Sequence, residues 1–103
     1  MQRLIFAISL LSVSAVAFAA PTETQLAIAL HDVTAEELVF DASWKDTVVP
    51  VLDARMFDNG TGRNGYAGYL CMVLSESQIT GGVVRVLDVA SSEERLLGQA
   101  TCK

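Results

Sequence analysis

Two cysteines, Cys71 and Cys102, are the only ones in the chain, and they constrain how its C-terminal half can fold. Redox motifs usually place their cysteines two residues apart, and structural zinc sites need four clustered ligands, so neither pattern fits this pair. A disulfide between them would close a long loop in the unfolded chain. In the chain-entropy account, this bond adds about 3–4 kcal/mol to the free energy of unfolding of a small domain. We therefore predict a single structural disulfide between Cys71 and Cys102.

The N-terminal segment has the three parts of a secretory signal peptide. Met1-Gln2-Arg3 carries one basic residue, residues 4–20 are apolar apart from serines, and Ala17-Phe18-Ala19 provides an Ala-x-Ala cleavage site. A membrane anchor is the alternative, but a spanning helix needs about 20 apolar residues, and this run is shorter and rich in Ala and Ser. We predict a signal peptide over residues 1–19, a single small domain over residues 20–103, and a periplasmic or secreted location.

The charge balance narrows the class of partner. Acidic residues outnumber basic ones by 12 to 7, and the excess grows by one when Arg3 is removed with the signal peptide. Nucleic acids and anionic membranes attract basic surfaces, so an acidic domain is a poor match for either. We expect no nucleic-acid partner, no stable membrane insertion after cleavage, and another protein or a cell-envelope component as the partner.

Residues 22–44 carry conflicting signals. Thr22 and Gln25 fit a capping box at the start of a helix, and the apolar residues that follow fit helical spacing. Some of those residues also alternate as on a strand. A second capping box, Thr34 with Glu37, precedes residues 39–44, which fit a strand equally well. We expect a helix or an extended arm followed by a short helical turn.

The sequence of the C-terminal half predicts a strand, a helix and two further strands, in that order. Residues 66–78 place Ala67, Leu70, Cys71 and Leu74 on one helical face, and Asn64 can serve as the N-cap. The strands are predicted at residues 47–54, 83–89 and 95–103. This order predicts an α+β fold with a small mixed sheet: a βαβ crossover, an antiparallel C-terminal strand and one helix packed on the sheet. An antiparallel all-β meander, with residues 66–74 extended, is the alternative.

The loop Gly60-Thr61-Gly62-Arg63-Asn64-Gly65 is a literal G-x-G-x-x-G sequence between a strand and a helix, as in dinucleotide-binding sites. Asp88, at the end of the next strand, stands near the position of a ribose-binding carboxylate. However, residues 56–59 separate the motif from its strand, and Asp58 would repel a phosphate. A small exported domain also lacks the second half that encloses such a cofactor, so an ordinary loop is the simpler interpretation.

A candidate ligand or partner site follows from the parallel strands. Asp53 and Asp88 are expected at their carboxyl ends, where open α/β sheets bind ligands. Asp58, Arg63 and Asn64 lie on the loop above. The alternative is that these aspartates only pair with neighbouring arginines. In particular, Arg85 is expected to be partly buried on its strand, and a buried guanidinium needs a carboxylate such as that of Asp53.

No catalytic constellation or metal motif is evident in the sequence. His31 is the only histidine, and glycines occupy ligand positions in the one stretch that resembles a calcium loop. We therefore expect a small exported binding protein without a cofactor, a metal or an enzymatic activity. Tyr66, Tyr69 and Trp44 could form an exposed aromatic patch, although core or half-buried packing is the default interpretation for them. The runner-up is a small enzyme or nucleotide-binding domain that uses the Gly-rich loop with Asp53 and Asp88.

Overall fold

A computed structural model describes residues 19–103, so the predicted signal peptide lies, apart from Ala19, outside the described residues. No helix within residues 19–103 is both long and apolar enough to cross a membrane. The described chain forms, in order, α1 (Glu23–Thr34), β1 (Asp41–Asp46), β2 (Val51–Met56), α2 (Asn64–Ser75), β3 (Val83–Asp88) and β4 (Leu96–Thr101).

The four strands form one mixed sheet in the order β1-β2-β3-β4. Strands β2 and β3 are parallel and are connected through α2, whereas β1 and β4 pair antiparallel with their neighbours. The α+β fold, with its βαβ crossover and antiparallel C-terminal strand, is therefore confirmed. The all-β alternative is wrong because residues 64–75 are helical. The first third of the domain adds a helix and an edge strand.

Helix α1 begins at the predicted capping box. The Thr22 hydroxyl accepts a hydrogen bond from the Gln25 backbone N–H at 3.1 Å, and the Gln25 side-chain oxygen accepts one from the Thr22 backbone N–H at 2.8 Å. These two bonds satisfy donors that a helix start otherwise leaves unpaired. Edge strand β1 contacts this helix through Trp44, whose indole Nε1 donates to the Leu26 carbonyl at 3.1 Å.

Strand β2 begins later than the sequence predicted, because residues 47–50 form a turn. The Asp46 carboxylate accepts a hydrogen bond from the Val48 N–H at 2.9 Å, which stabilises the turn. Pro50 has no N–H to donate to a neighbouring strand, but its carbonyl accepts one hydrogen bond from Val83 N–H at 2.9 Å. The strand then continues two residues past the predicted end, to Met56.

Both helices pack on the same face of the sheet. Alternate residues of the two central strands, Leu52, Ala54, Met56, Val84 and Val86, belong to a buried cluster with apolar residues of α1 and α2. Because successive strand side chains point to opposite faces, the residues between them lie on the face that carries no helix. This alternation decides which predicted site residues can meet.

The disulfide between Cys71 and Cys102 is present, with a Cα–Cα distance of 5.2 Å across a sequence separation of 31 residues. Cys71 lies on α2, and Cys102 directly follows β4. The Cys102 backbone N–H also donates to the Gly82 carbonyl at 2.7 Å. The covalent bond therefore joins the crossover helix to the end of the chain, as predicted.

Candidate functional site

Three connecting segments meet where β2 and β3 end. Residues 35–41 lead into β1 and include its first residue, residues 57–63 leave β2, and residues 88–95 run from the last residue of β3 to β4. We call these three segments, together with Arg55, the carboxyl edge. In sheets with parallel strands, this is the end at which ligands usually bind.

A single arginine bridges two of the predicted site residues at the carboxyl edge. Nη2 of Arg95 donates to Asp58 at 2.7 Å and to Asp88 at 2.8 Å. Asp88 is only 8 % exposed, and its other oxygen accepts a hydrogen bond from the Ala90 N–H at 3.0 Å. The hydrogen bond from Arg95, followed by the one from the Gly60 N–H, lowers the pKa of Asp58 below its ordinary value of 3.8. The bridge therefore joins the loop after β2 to the turn after β3.

Arg63 and Asn64 hold the Gly-rich loop against β4. The Arg63 N–H donates to the Leu97 carbonyl at 3.1 Å, and the Asn64 side-chain oxygen accepts from the Gln99 N–H at 2.9 Å. The prediction that Asn64 is the N-cap is wrong: Arg63 occupies that position without a side-chain cap. The Asn64 carboxamide bonds to the edge of β4 rather than to its own helix.

The Gly-rich loop is shaped by hydrogen bonds within itself. The Asp58 carboxylate accepts from the Gly60 N–H at 2.8 Å, and the Asn59 side chain accepts from both the N–H and the hydroxyl of Thr61. Side chains of Asp and Asn commonly stabilise turns in this way. The polar groups of the loop are therefore largely engaged with one another.

Asp53 does not join the other predicted site residues, which corrects the expectation that it lies with Asp88 at a strand end. It lies in the middle of β2, pairs in register with Arg85 of β3, and is on the helix-free face. Arg85 donates to it from Nε at 2.7 Å and from Nη2 at 2.8 Å. The predicted structural pair between Arg85 and Asp53 is thus confirmed.

Two exposed phenylalanines lie at the carboxyl edge, and no sequence pattern predicted them as part of a site. Phe40 and Phe57 are 63 % and 61 % exposed, and their rings contact each other edge to face, with centroids 5.9 Å apart. They are distant in sequence and meet because β1 pairs with β2. No local pattern signals this contact, since it depends on the register between two strands.

The predicted aromatic residues are divided between two places. Trp44 packs against α1 through its hydrogen bond to Leu26. The rings of Tyr66 and Tyr69 contact each other at a tilt of 40°, with centroids 5.5 Å apart. The Tyr69 hydroxyl donates to the Glu36 carboxylate at 3.0 Å. That hydrogen bond is the main cause that raises the pKa of Tyr69 above its ordinary value. It also connects α2 to the first segment of the carboxyl edge.

The carboxyl edge is strongly acidic. Arg55 donates to Asp41 at 2.9 Å and lies 3.8 Å from Glu94, so each of the two arginines Arg55 and Arg95 faces two carboxylates. The carboxylates of this edge are Glu36, Glu37, Asp41, Asp58, Asp88, Glu93 and Glu94, and its arginines are Arg55, Arg63 and Arg95. The end of the domain that carries the two phenylalanines therefore has an excess of negative charge.

The main surface feature at the opposite end of the domain is a groove. A groove of about 580 Å³ lies between the residues preceding α1, the turn before β2 and the segment before β3. Val48 and Val49 line it and are 71 % and 60 % exposed. None of its lining side chains is charged. The domain thus presents an acidic aromatic surface at one end and a groove without charged side chains at the other.

The carboxyl edge presents carboxylates, arginines and two exposed phenylalanine rings. Within residues 19–103, no group of three or more His, Cys, Asp or Glu side chains is arranged to hold a metal ion. The aspartates at this edge already accept hydrogen bonds from arginine and backbone donors.

No protein-family model matches the chain, and no curated protein or solved structure is significantly similar to it.

Proposed function

We propose that this chain is a small exported protein that binds another protein through its carboxyl edge. The observation that carries the proposal is the exposed contact between Phe40 and Phe57. Large aromatic side chains exposed together are typical of interaction surfaces, where they serve as anchors. Burying the exposed part of each ring against a partner should strengthen binding by about 2 kcal/mol per ring.

The backbone around both rings is held before any partner arrives. The Phe40 N–H donates to the Arg55 carbonyl at 2.8 Å, and the Phe57 carbonyl accepts from Nη2 of Arg63 at 3.0 Å. The bridge from Arg95 to Asp58 and Asp88 fixes the loop that follows Phe57. A surface with this degree of order loses less conformational entropy on binding, which favours affinity.

Two features support export as the setting of this function. Disulfides such as that between Cys71 and Cys102 persist in the periplasm and outside cells, where conditions are oxidising. The Ala17-Phe18-Ala19 sequence is the expected end of a signal peptide. We therefore propose that the mature domain, residues 20–103, is periplasmic or secreted. A small enzyme built on Asp53 and Asp88 is not favoured, because Asp53 lies in the middle of β2 and both of its carboxylate oxygens accept hydrogen bonds from Arg85.

The test is a capture experiment with the oxidised domain, residues 20–103, immobilised and exposed to an extract of its native extracytoplasmic compartment. The double variant Phe40→Ser/Phe57→Ser removes both exposed rings. Its matched control, Val48→Ser/Val49→Ser, removes two comparably exposed apolar side chains at the opposite end. We expect the parent and the valine variant to retain the same specific partner and the phenylalanine variant to lose it. Loss in the valine variant instead, or equal capture by all three proteins, would refute the proposal.

A further inference from the structure

We infer that the partner of the carboxyl edge is a cationic protein segment that carries apolar side chains between its Arg or Lys residues. This inference rests on the proposed function and names the class of partner. It combines two observations at one end of the domain: the exposed rings of Phe40 and Phe57, and the excess of carboxylates at the carboxyl edge.

Carboxylates lie next to both phenylalanines in the chain. Asp41 follows Phe40 in the chain, and Asp58 follows Phe57. Glu94 joins the same surface, since its carboxylate lies 3.8 Å from the Arg55 guanidinium that also contacts Asp41. A partner that covers both rings therefore binds at an end of the domain that carries several negative charges.

The arginines of the carboxyl edge neutralise only part of this charge. Arg55 lies between Asp41 and Glu94, and Arg95 lies between Asp58 and Asp88. In each case one positive charge faces two negative ones. Glu37 and Glu93 are exposed on the same edge and add further negative charge. A positive group from a partner would complete this pairing, whereas an anionic partner would be repelled.

Guanidinium groups fit this surface in two ways. A planar guanidinium can lie over the exposed face of a phenylalanine ring, and it can at the same time form a charge-assisted hydrogen bond with a neighbouring carboxylate. Apolar side chains between the cations would then cover the rest of the two rings. The groove at the opposite end has no charged side chain in its lining and offers no such complement.

The test uses synthetic peptides and matched charge reversals in the oxidised domain. The probe is a peptide of Arg and Leu residues, compared with the same peptide carrying Gln in place of every Arg. Glu37→Lys/Glu93→Lys reverses two exposed charges at the carboxyl edge. Glu23→Lys/Glu76→Lys makes the same change in total charge at the other end of the domain, where these exposed residues lie at the start of α1 and directly after α2.

We expect the Arg-Leu peptide to bind, the Gln peptide to bind at least about tenfold more weakly, and high salt to reduce binding because it screens exposed charges. Glu37→Lys/Glu93→Lys should weaken binding about tenfold, and Glu23→Lys/Glu76→Lys should change it by less than about threefold. Equal binding of the two peptides, equal effects of the two reversals, or no binding would overturn the inference. If capture still depends on Phe40 and Phe57 in that case, the proposed function stands and only the cationic class of partner is wrong.

Discussion

Arg85 donates two parallel hydrogen bonds to Asp53 across the parallel strands β2 and β3, at 2.7 Å and 2.8 Å. Asp53 is only 5 % exposed although it lies on the sheet face without helices. Its carboxylate therefore depends on the guanidinium to replace the water that it has lost. The pair connects the two central strands on the side that the hydrophobic core does not reach.

Removing this carboxylate should cost stability rather than binding. We expect Asp53→Ala to lower the free energy of unfolding by about 1–3 kcal/mol, because a partly buried guanidinium loses its charged acceptor. Asp41→Ala removes the carboxylate that pairs with Arg55 on the surface, and it should cost less than about 1 kcal/mol. Urea denaturation measures both values. Equal losses would show that the Arg85–Asp53 pair has no special structural role.

Two glycines should respond to alanine in opposite directions. A Cβ at Gly98 would lie 2.4 Å from the Arg63 carbonyl carbon and 2.5 Å from the Asn64 nitrogen, whereas a Cβ at Gly68 would have no atom within 4 Å. Gly98→Ala should therefore push the Gly-rich loop away from β4 and destabilise the domain. Gly68→Ala should stabilise it by about 0.5–1 kcal/mol, because alanine is the better helix former. Thermal unfolding of both variants checks the sign of each effect, and a stabilising Gly98→Ala would contradict the close packing of the Gly-rich loop on β4.

The disulfide should supply a large share of the stability. The Cys71→Ala/Cys102→Ala variant is expected to lose about 3–4 kcal/mol, because the unfolded chain regains the freedom of a loop of 31 residues. Chemical denaturation of the variant and of the oxidised parent gives the difference. A loss below about 1 kcal/mol would mean that packing between α2 and β4 holds the chain end without the covalent bond.

The hydrogen bond from Arg95 to Asp58 should make the carboxyl edge sensitive to acid. The pKa of Asp58 is lower in the folded protein than its ordinary value of 3.8. The stability that this carboxylate contributes is therefore fully present above that value and is lost as the pH falls through the lower folded pKa. An NMR titration should find the Asp58 midpoint below 3.8 in the parent and shifted upward in Arg95→Gln. An unchanged midpoint in the variant would show that Arg95 does not hold this carboxylate ionised.

The sequence predicted the parts of the fold that depend on local chemistry. The capping box of Thr22 and Gln25 does begin a helix. The presence of only two cysteines, without a redox or zinc pattern, correctly predicted the disulfide. Asp53 was placed wrongly because the turn at residues 47–50 moves the strand toward the C-terminus. The aspartate consequently lies in the middle of the strand instead of at its end.

The parts that the sequence did not predict depend on contacts between distant residues. Phe40 and Phe57 meet only because Asp41 pairs with Arg55 across β1 and β2, and this register has no signature in either segment. Arg95 reaches Asp58 and Asp88 because the loop and the turn lie at the same end of the parallel strands. Both features follow from topology, which single residues and short motifs do not encode.

Photo-crosslinking in the native compartment tests most directly whether the carboxyl edge is the binding surface. The photoreactive residue p-benzoylphenylalanine would replace Phe57 in one variant and Val48, which is comparably exposed at the other end, in a second. We predict that Phe57→p-benzoylphenylalanine gives one discrete crosslinked protein on irradiation and that Val48→p-benzoylphenylalanine gives none. A crosslink from position 48 with none from position 57 would contradict the account.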